Sequence, residues 1–164
     1  MIPRLIATFG HVGLLPRAAG TWGALAAVPL GYLLHRLGGP ALLLAAVAAL
    51  YALGYWATKA AAFGHGGLER SEIVVDEVVG QWIALLPLSF GLWHAGAPPQ
   101  VFPWPGWVAA FLLFRLFDLW KPWPVSWARR REGPAGVMLD DVLAGLMAGA
   151  ATALLGAAAH GWLT

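Results

Sequence analysis

From Arg36 to Lys59, and again from Asp141 to the C-terminus, the chain runs without one charged side chain; between Val78 and Phe114 it does so a third time. A helix needs about 20 mostly apolar residues to cross a bilayer core, where every backbone polar group must be satisfied within the protein. Uncharged runs of this length restrict the fold to an all-α class, a polytopic membrane helix bundle. Composition agrees, at 60% hydrophobic and 11% charged residues, against about 25% charged in soluble domains. At 164 residues the length implies a single membrane-embedded domain, residues 1–164.

Residues 40–56 read as one span and residues 142–163 as another. Gly91, Gly96 and four prolines divide the third stretch into helices 78–93 and 104–119, joined by a Pro-rich turn. A fifth segment, 21–37, is short, contains Pro29 and Gly31, and is expected to be tilted, kinked or only partly inserted. The expectation is four to five transmembrane helices. Lys59, Arg70, Lys121 and the run Arg129-Arg130-Arg131 lie in the connections 59–77 and 121–141, while the turn 91–105 has no Lys or Arg. Positive residues favour the cytoplasmic side, which puts both connections and the N-terminus there; Arg36 fits that scheme less well. The ten tryptophans gather near segment ends, as in an interfacial belt. The N-terminal residues lack the pattern of a removable signal peptide.

The absence of cysteine excludes disulfides, zinc-thiolate sites and a thiol nucleophile. A formal charge of +2 without a basic stripe of interleaved aromatics does not suggest nucleic acid as a partner. The five histidines, His11, His35, His65, His94 and His160, show no metal-ligand spacing.

Only eight acidic residues occur, and five of them sit where apolar segments begin or end: Asp76-Glu77, Asp118 and Asp140-Asp141. Carboxylates there are costly unless they face water, a cation or one another. Asp76-Glu77 and Asp140-Asp141 could serve only as helix caps and dipole partners. Asp118 does not fit that reading, because it closes a helix, where the dipole disfavours an anion. Gathered by folding, the three positions would form an acidic pocket at the membrane surface. Oxygen ligands without any thiolate suit Mg²⁺, or Mn²⁺, better than a softer metal. Adjacent helical residues point about 100° apart, so one member of each pair would ligate directly while the other bonds a water or a backbone N–H.

In Phe114-Arg115-Leu116-Phe117-Asp118-Leu119-Trp120-Lys121-Pro122, Arg115, Asp118 and Lys121 recur every three residues along one helical face. An Arg115–Asp118 ion pair is one reading; Asp118 as a ligand with Lys121 as a phosphate anchor is the other. Residues 9–23 form a Gly-rich loop in which Gly20 and Thr21 stand before a helix, able to offer backbone N–H groups or a hydroxyl to an anion. An internal echo links Asp76-Glu77-Val78-Val79-Gly80 to Asp140-Asp141-Val142-Leu143-Ala144-Gly145: two acids, aliphatics, then glycine.

These blocks together resemble the phosphatidylglycerophosphatase A family, bacterial enzymes that remove the terminal phosphate of phosphatidylglycerophosphate. The family pattern runs Gly-x-Gly-x-x-Pro-x-Ala-Pro-Gly-Thr-x-Gly-Ser, Ile-Val-x-Asp-Glu-x-x-Gly, Phe-Arg-x-Phe-Asp-x-x-Lys-Pro-x-Pro and Gly-x-Met-x-Asp-Asp-x-x-Ala-Gly. Residues 13–24, 73–80, 114–124 and 136–145 follow it in order, the last three closely. Departures fall in the first block, with His11, Ala19 and Ala24 at positions of Gly, Pro and Ser; Glu69-Arg70 stands where Asp-Pro is common. The resemblance implies a Mg²⁺-dependent lipid phosphate monoesterase, multi-pass in the bacterial inner membrane, with its site on the cytoplasmic face. Its functional residues would be Asp76, Glu77, Asp118, Lys121, Asp140 and Asp141. The five acids would hold metal, Gly20, Thr21 and Lys121 would meet the phosphate, and Glu69 and Arg115 would support them. The competing reading from the residues is a cation-coupled transporter or channel, whose site would lie near the bilayer midplane.

Overall fold

The computed structural model describes residues 1–62 and 70–161, all helix and turn with no strand among them. After a short α1 (Ile2–Ala7) and a 3₁₀ turn (Val12–Leu14), the main helices are α2 (Ala19–Ala61), α3 (Val75–His94), α4 (Trp104–Trp120) and α6 (Pro134–Gly161); a stub, α5 (Val125–Arg129), lies between α4 and α6. Three are long and apolar enough to cross a membrane: α2, α3 and α6. α4, at 17 residues, packs between α3 and α6.

The sequence-based segments 21–37 and 40–56 are the two arms of α2. Gly38 and Gly39 break it, Gly39 at φ +62° and ψ −156°, a conformation essentially confined to glycine. Pro40 then opens the second arm, its fixed φ suited to a first helical turn. The chain reverses at this break. Going up the first arm, Gly23 meets Val74, Gly31 meets Leu85, and Gly39 approaches Trp93; in the second arm Gly54 is back against Val75 and Met138. The first arm is therefore a full-length partner of α3 despite Pro29. Its contact face is a stripe of small buried residues, Gly23, Ala24, Ala27 and Gly31, and small residues let helices approach closely where lipid removes the usual hydrophobic drive. The Trp82 indole locks the pair by donating to the Ala27 carbonyl at 2.9 Å.

α3 and α6 run parallel and meet through glycine. A Cβ on Gly145 would enter the Gly80 carbonyl, and one on Gly80 would enter the Asp141 carbonyl and the Phe114 ring. Further along, Gly149 lies against Pro87. α4 runs the opposite way beside α3, with Phe114 at Gly80 and Gly106 at Leu88. The start of α2, the start of α3, the end of α4 and the second turn of α6 consequently share one end of the bundle. Exposed Trp22, Trp120, Trp123 and Trp127 belong to that end, and exposed Trp93 and Trp104 to the other, the two-belt distribution of an interfacial protein.

Among the helix starts, the two largest departures from expectation fall at α3 and α6. α3 begins at Val75 rather than residue 78, and α6 at Pro134 rather than residue 142. The charged residues had marked the segment ends, but Asp140-Asp141 occupy the second turn of α6, too far inside to cap it. Burial against neighbouring helices lets a helix continue through acids that a lipid-facing segment would exclude.

Candidate active site

The acids, scattered over 66 residues of sequence, meet in one trough at that end of the bundle. Asp76, Asp118, Asp140 and Asp141 are all buried and Glu77 is half-buried. A cleft of about 310 Å³ is lined by Asp76, Asp140 and Asp141, and by Glu77, Asp118 and Lys121, with Arg129 at its edge. A second, of about 520 Å³, shares Glu77, Asp118, Lys121 and Arg129 and extends to Gly20, Arg115 and Leu119.

The glycine contact explains which acids face one another. Residues four apart lie on one helical face, so Asp76 stands over Gly80 and Asp141 over Gly145, and closing the two glycines brings these carboxylates together. One oxygen each from Asp76, Glu77 and Asp141 lies within 4.8 Å of the others. Magnesium binds oxygen at about 2.1 Å, which places opposite ligands about 4.2 Å apart; a small adjustment of these side chains suffices. Glu77 Oε2 is also buried without a hydrogen-bond partner, a costly condition for a carboxylate oxygen that a cation would relieve. These three residues fit a hard divalent ion.

Asp118 and Asp140 are engaged differently. The Arg115 guanidinium donates to Asp118 at 2.5 Å, and the Lys121 ammonium donates to Asp118 at 2.7 Å and to Asp140 at 3.1 Å. Of the two readings of the Arg115–Asp118–Lys121 face, the Arg115–Asp118 ion pair forms, and all three residues line the trough. Burial pulls the Lys121 ammonium down, but its hydrogen bond to Asp118 and the charges of Asp118, Asp140 and Asp141 outweigh this and hold its pKa above the ordinary lysine value. Lys121 is therefore a permanent cation in the site. It sits at the end of α4 in a left-handed conformation, φ +49°, which turns it back over the last turn before Pro122.

Gly20 also reaches the site, and a Cβ there would enter the Glu77 carboxylate. Helix α2 starts two residues earlier than expected, at Ala19 with Ala18 at the N-cap, so Thr21 is inside the first turn and does not cap it. The Thr21 amide is spent on the Ala18 carbonyl at 2.8 Å, and Thr21 lines neither cleft. The first N–H groups of a helix have no partner within it, and Gly20 brings that end of α2 against the Glu77 carboxylate. The earlier part of the loop turns elsewhere, with Gly13 pressed on the Glu72 backbone. Glu69 and His65 lie outside the described residues. Arg129 lines both clefts and was absent from the expected site residues; in the sequence its run reads as a topology determinant or as an attraction for anionic lipid.

The sequence profile described as Phosphatidylglycerophosphatase A matches residues 5–156. The chain is 36% identical over 153 residues to the Phosphatidylglycerophosphatase A of Escherichia coli (strain K12), a match covering 92% of this chain and 79% of that one. It is 36% identical over 138 residues to the protein of the same name from Haemophilus influenzae, covering 83% and 77%. A Bacteroides thetaiotaomicron protein provisionally named a phosphatidylinositol-3-phosphatase is 41% identical over 150 residues, covering 88% and 87%. No solved structure matches. With a profile that spans nearly the whole chain and relatives this similar over most of their length, the chain belongs to the phosphatidylglycerophosphatase A family.

Proposed function

We propose that this protein hydrolyses the terminal phosphate monoester of phosphatidylglycerophosphate, giving phosphatidylglycerol and inorganic phosphate, with Mg²⁺ as cofactor and its site at the cytoplasmic face of the bacterial inner membrane. The observation that carries this reading is the trough itself: three carboxylates placed to offer oxygens to one ion, beside a half-buried lysine, at the bundle end ringed by exposed tryptophans. Family membership supplies the substrate class, since the Escherichia coli and Haemophilus influenzae relatives carry the phosphatase name. The acids lie at helix ends and not midway along the bundle, which favours chemistry on a headgroup over ion translocation.

Asp76, Glu77 and Asp141 would hold the metal, which when bound supplies Lewis-acid polarisation of phosphate oxygens. The chain's own residues do the rest. Lys121, fixed by Asp118 and Asp140, presents a permanent positive charge to the dianionic monoester. Arg115, anchored on Asp118, adds a second. The N–H groups of Ala19 and Gly20 at the start of α2 add a partial positive charge. Because these groups are already oriented, little reorganisation opposes the developing charge of the transition state. In the net reaction water adds its oxygen to phosphorus, the P–O bond to the headgroup glycerol breaks, and the released alkoxide takes up a proton.

Phosphate release from phosphatidylglycerophosphate by the purified protein tests this. Activity is expected to vanish in EDTA and return with Mg²⁺, with Mn²⁺ as a substitute. Release that persists unchanged in EDTA would refute the metal requirement, and no release under any condition would refute the activity. Phosphatidylinositol 3-phosphate, suggested by the name of the Bacteroides relative, belongs in the same assay and is expected to be the poorer substrate.

A further inference from the structure

We propose that Arg129 binds the phosphodiester of the lipid headgroup, the phosphate that is kept, and so sets a preference for headgroups with two phosphates over those with one. This rests on the activity proposed above. The two clefts form one trough with unlike ends, joined through Glu77, Asp118, Lys121 and Arg129. At one end stand Asp76 and Asp141, at the other Gly20, Arg115 and Leu119. A monoester drawn to the acidic, metal-holding end leaves the other end for the remainder of the headgroup. In phosphatidylglycerophosphate that remainder begins with a glycerol and a second phosphate, and Leu119 on the outer wall is 72% exposed, where the acyl-bearing portion would emerge.

The cations of the trough are not equally available. Lys121 bridges Asp118 and Asp140, and Arg115 is tied to Asp118. Arg129 approaches only Asp140, at 3.9 Å, with its side chain 63% exposed, and its guanidinium makes no hydrogen bond among the described residues. Its planar fork suits two phosphate oxygens at once. The other arginines of the run do not share this position: Arg131 lies over the Trp127 ring at 4.2 Å, and neither it nor Arg130 lines the trough. The topological role of the run is met by any basic residue, whereas only Arg129 faces the site.

The test compares Arg129→Gln, Arg129→Lys and the unaltered full chain in detergent micelles. Phosphate release from phosphatidylglycerophosphate is measured, with phosphatidylglycerol (diester only) and inorganic phosphate as competitors. In Arg129→Gln, KM is expected to rise about tenfold, the loss of one charge-assisted contact, and to change more than kcat. Inhibition by phosphatidylglycerol should weaken by a similar factor while inhibition by inorganic phosphate shifts less than about twofold. Arg129→Lys should recover part of both, since it keeps the charge but loses the fork. Equal weakening of the two competitors, an unchanged KM, or no inhibition of the unaltered protein by phosphatidylglycerol overturns this assignment while leaving the activity intact. No release by the unaltered protein overturns the activity, and the assignment with it.

Discussion

Asp141→Asn is expected to abolish phosphate release and at the same time to leave the metal-free protein as stable as before, or more so. The side chains are nearly isosteric, so packing against α3 is retained. What would be lost is one of the three carboxylates proposed to share an ion; altering a supporting residue alone typically costs 10–100-fold in metal affinity or activity, so a direct ligand should cost at least about a hundredfold. What is gained is relief of repulsion, because Asp141 is buried within reach of Asp76 and Glu77 and like charges in a poorly solvated site repel strongly. Thermal unfolding in detergent with and without Mg²⁺ separates the two effects. The unaltered protein is expected to gain stability on Mg²⁺ addition, and Asp141→Asn to lose most of that gain. Turnover by Asp141→Asn within about threefold of the unaltered protein would remove Asp141 from the metal site. Asp76→Asn should behave alike, since Asp76 faces the same point from α3.

The second large effect belongs to a residue with no functional group. Gly80→Ala puts a methyl into the Asp141 carbonyl and the Phe114 ring, and a backbone carbonyl cannot rotate away as a side chain could. α3 and α6 must separate. Overpacking of this kind costs about 1–3 kcal/mol, visible as a lower unfolding temperature in detergent. The separation also moves Asp76 and Glu77 away from Asp141, and a displacement near 1 Å at a reacting site costs about a hundredfold in rate. Gly91→Ala is the control on the same helix: nothing lies within 4 Å of a Cβ there, and alanine favours a helix over glycine by about 1 kcal/mol. Equal stability and activity for the two variants would mean that the glycine contact does not set the distance between the acid pairs.

The membrane class, the helical segments and the acids of the site were legible in the sequence because each rests on local chemistry. Charge is excluded from lipid, so its absence delimits segments; acids are so costly there that five at segment ends signal a shared purpose. The echo of two acids followed by glycine was legible too, but not its meaning. A helix approaches another closely only where both lack a side chain, and a sequence does not state which glycines are opposed. Once Gly80 is set on Gly145, the i to i+4 relation selects Asp76 and Asp141 to face each other and leaves Asp140 to Lys121. Thr21 and Arg129 moved in opposite directions for a related reason. A helix start at Ala19 put the first inside the helical turn and outside both clefts, and the stub α5 packed on α6 brought the second beside the acids. Local composition thus determined that this chain lives in a membrane and which of its residues carry charge there. Only the approach of distant helices, governed by the absence of a Cβ at two points, decided which carboxylates face one another and which are paired with cations.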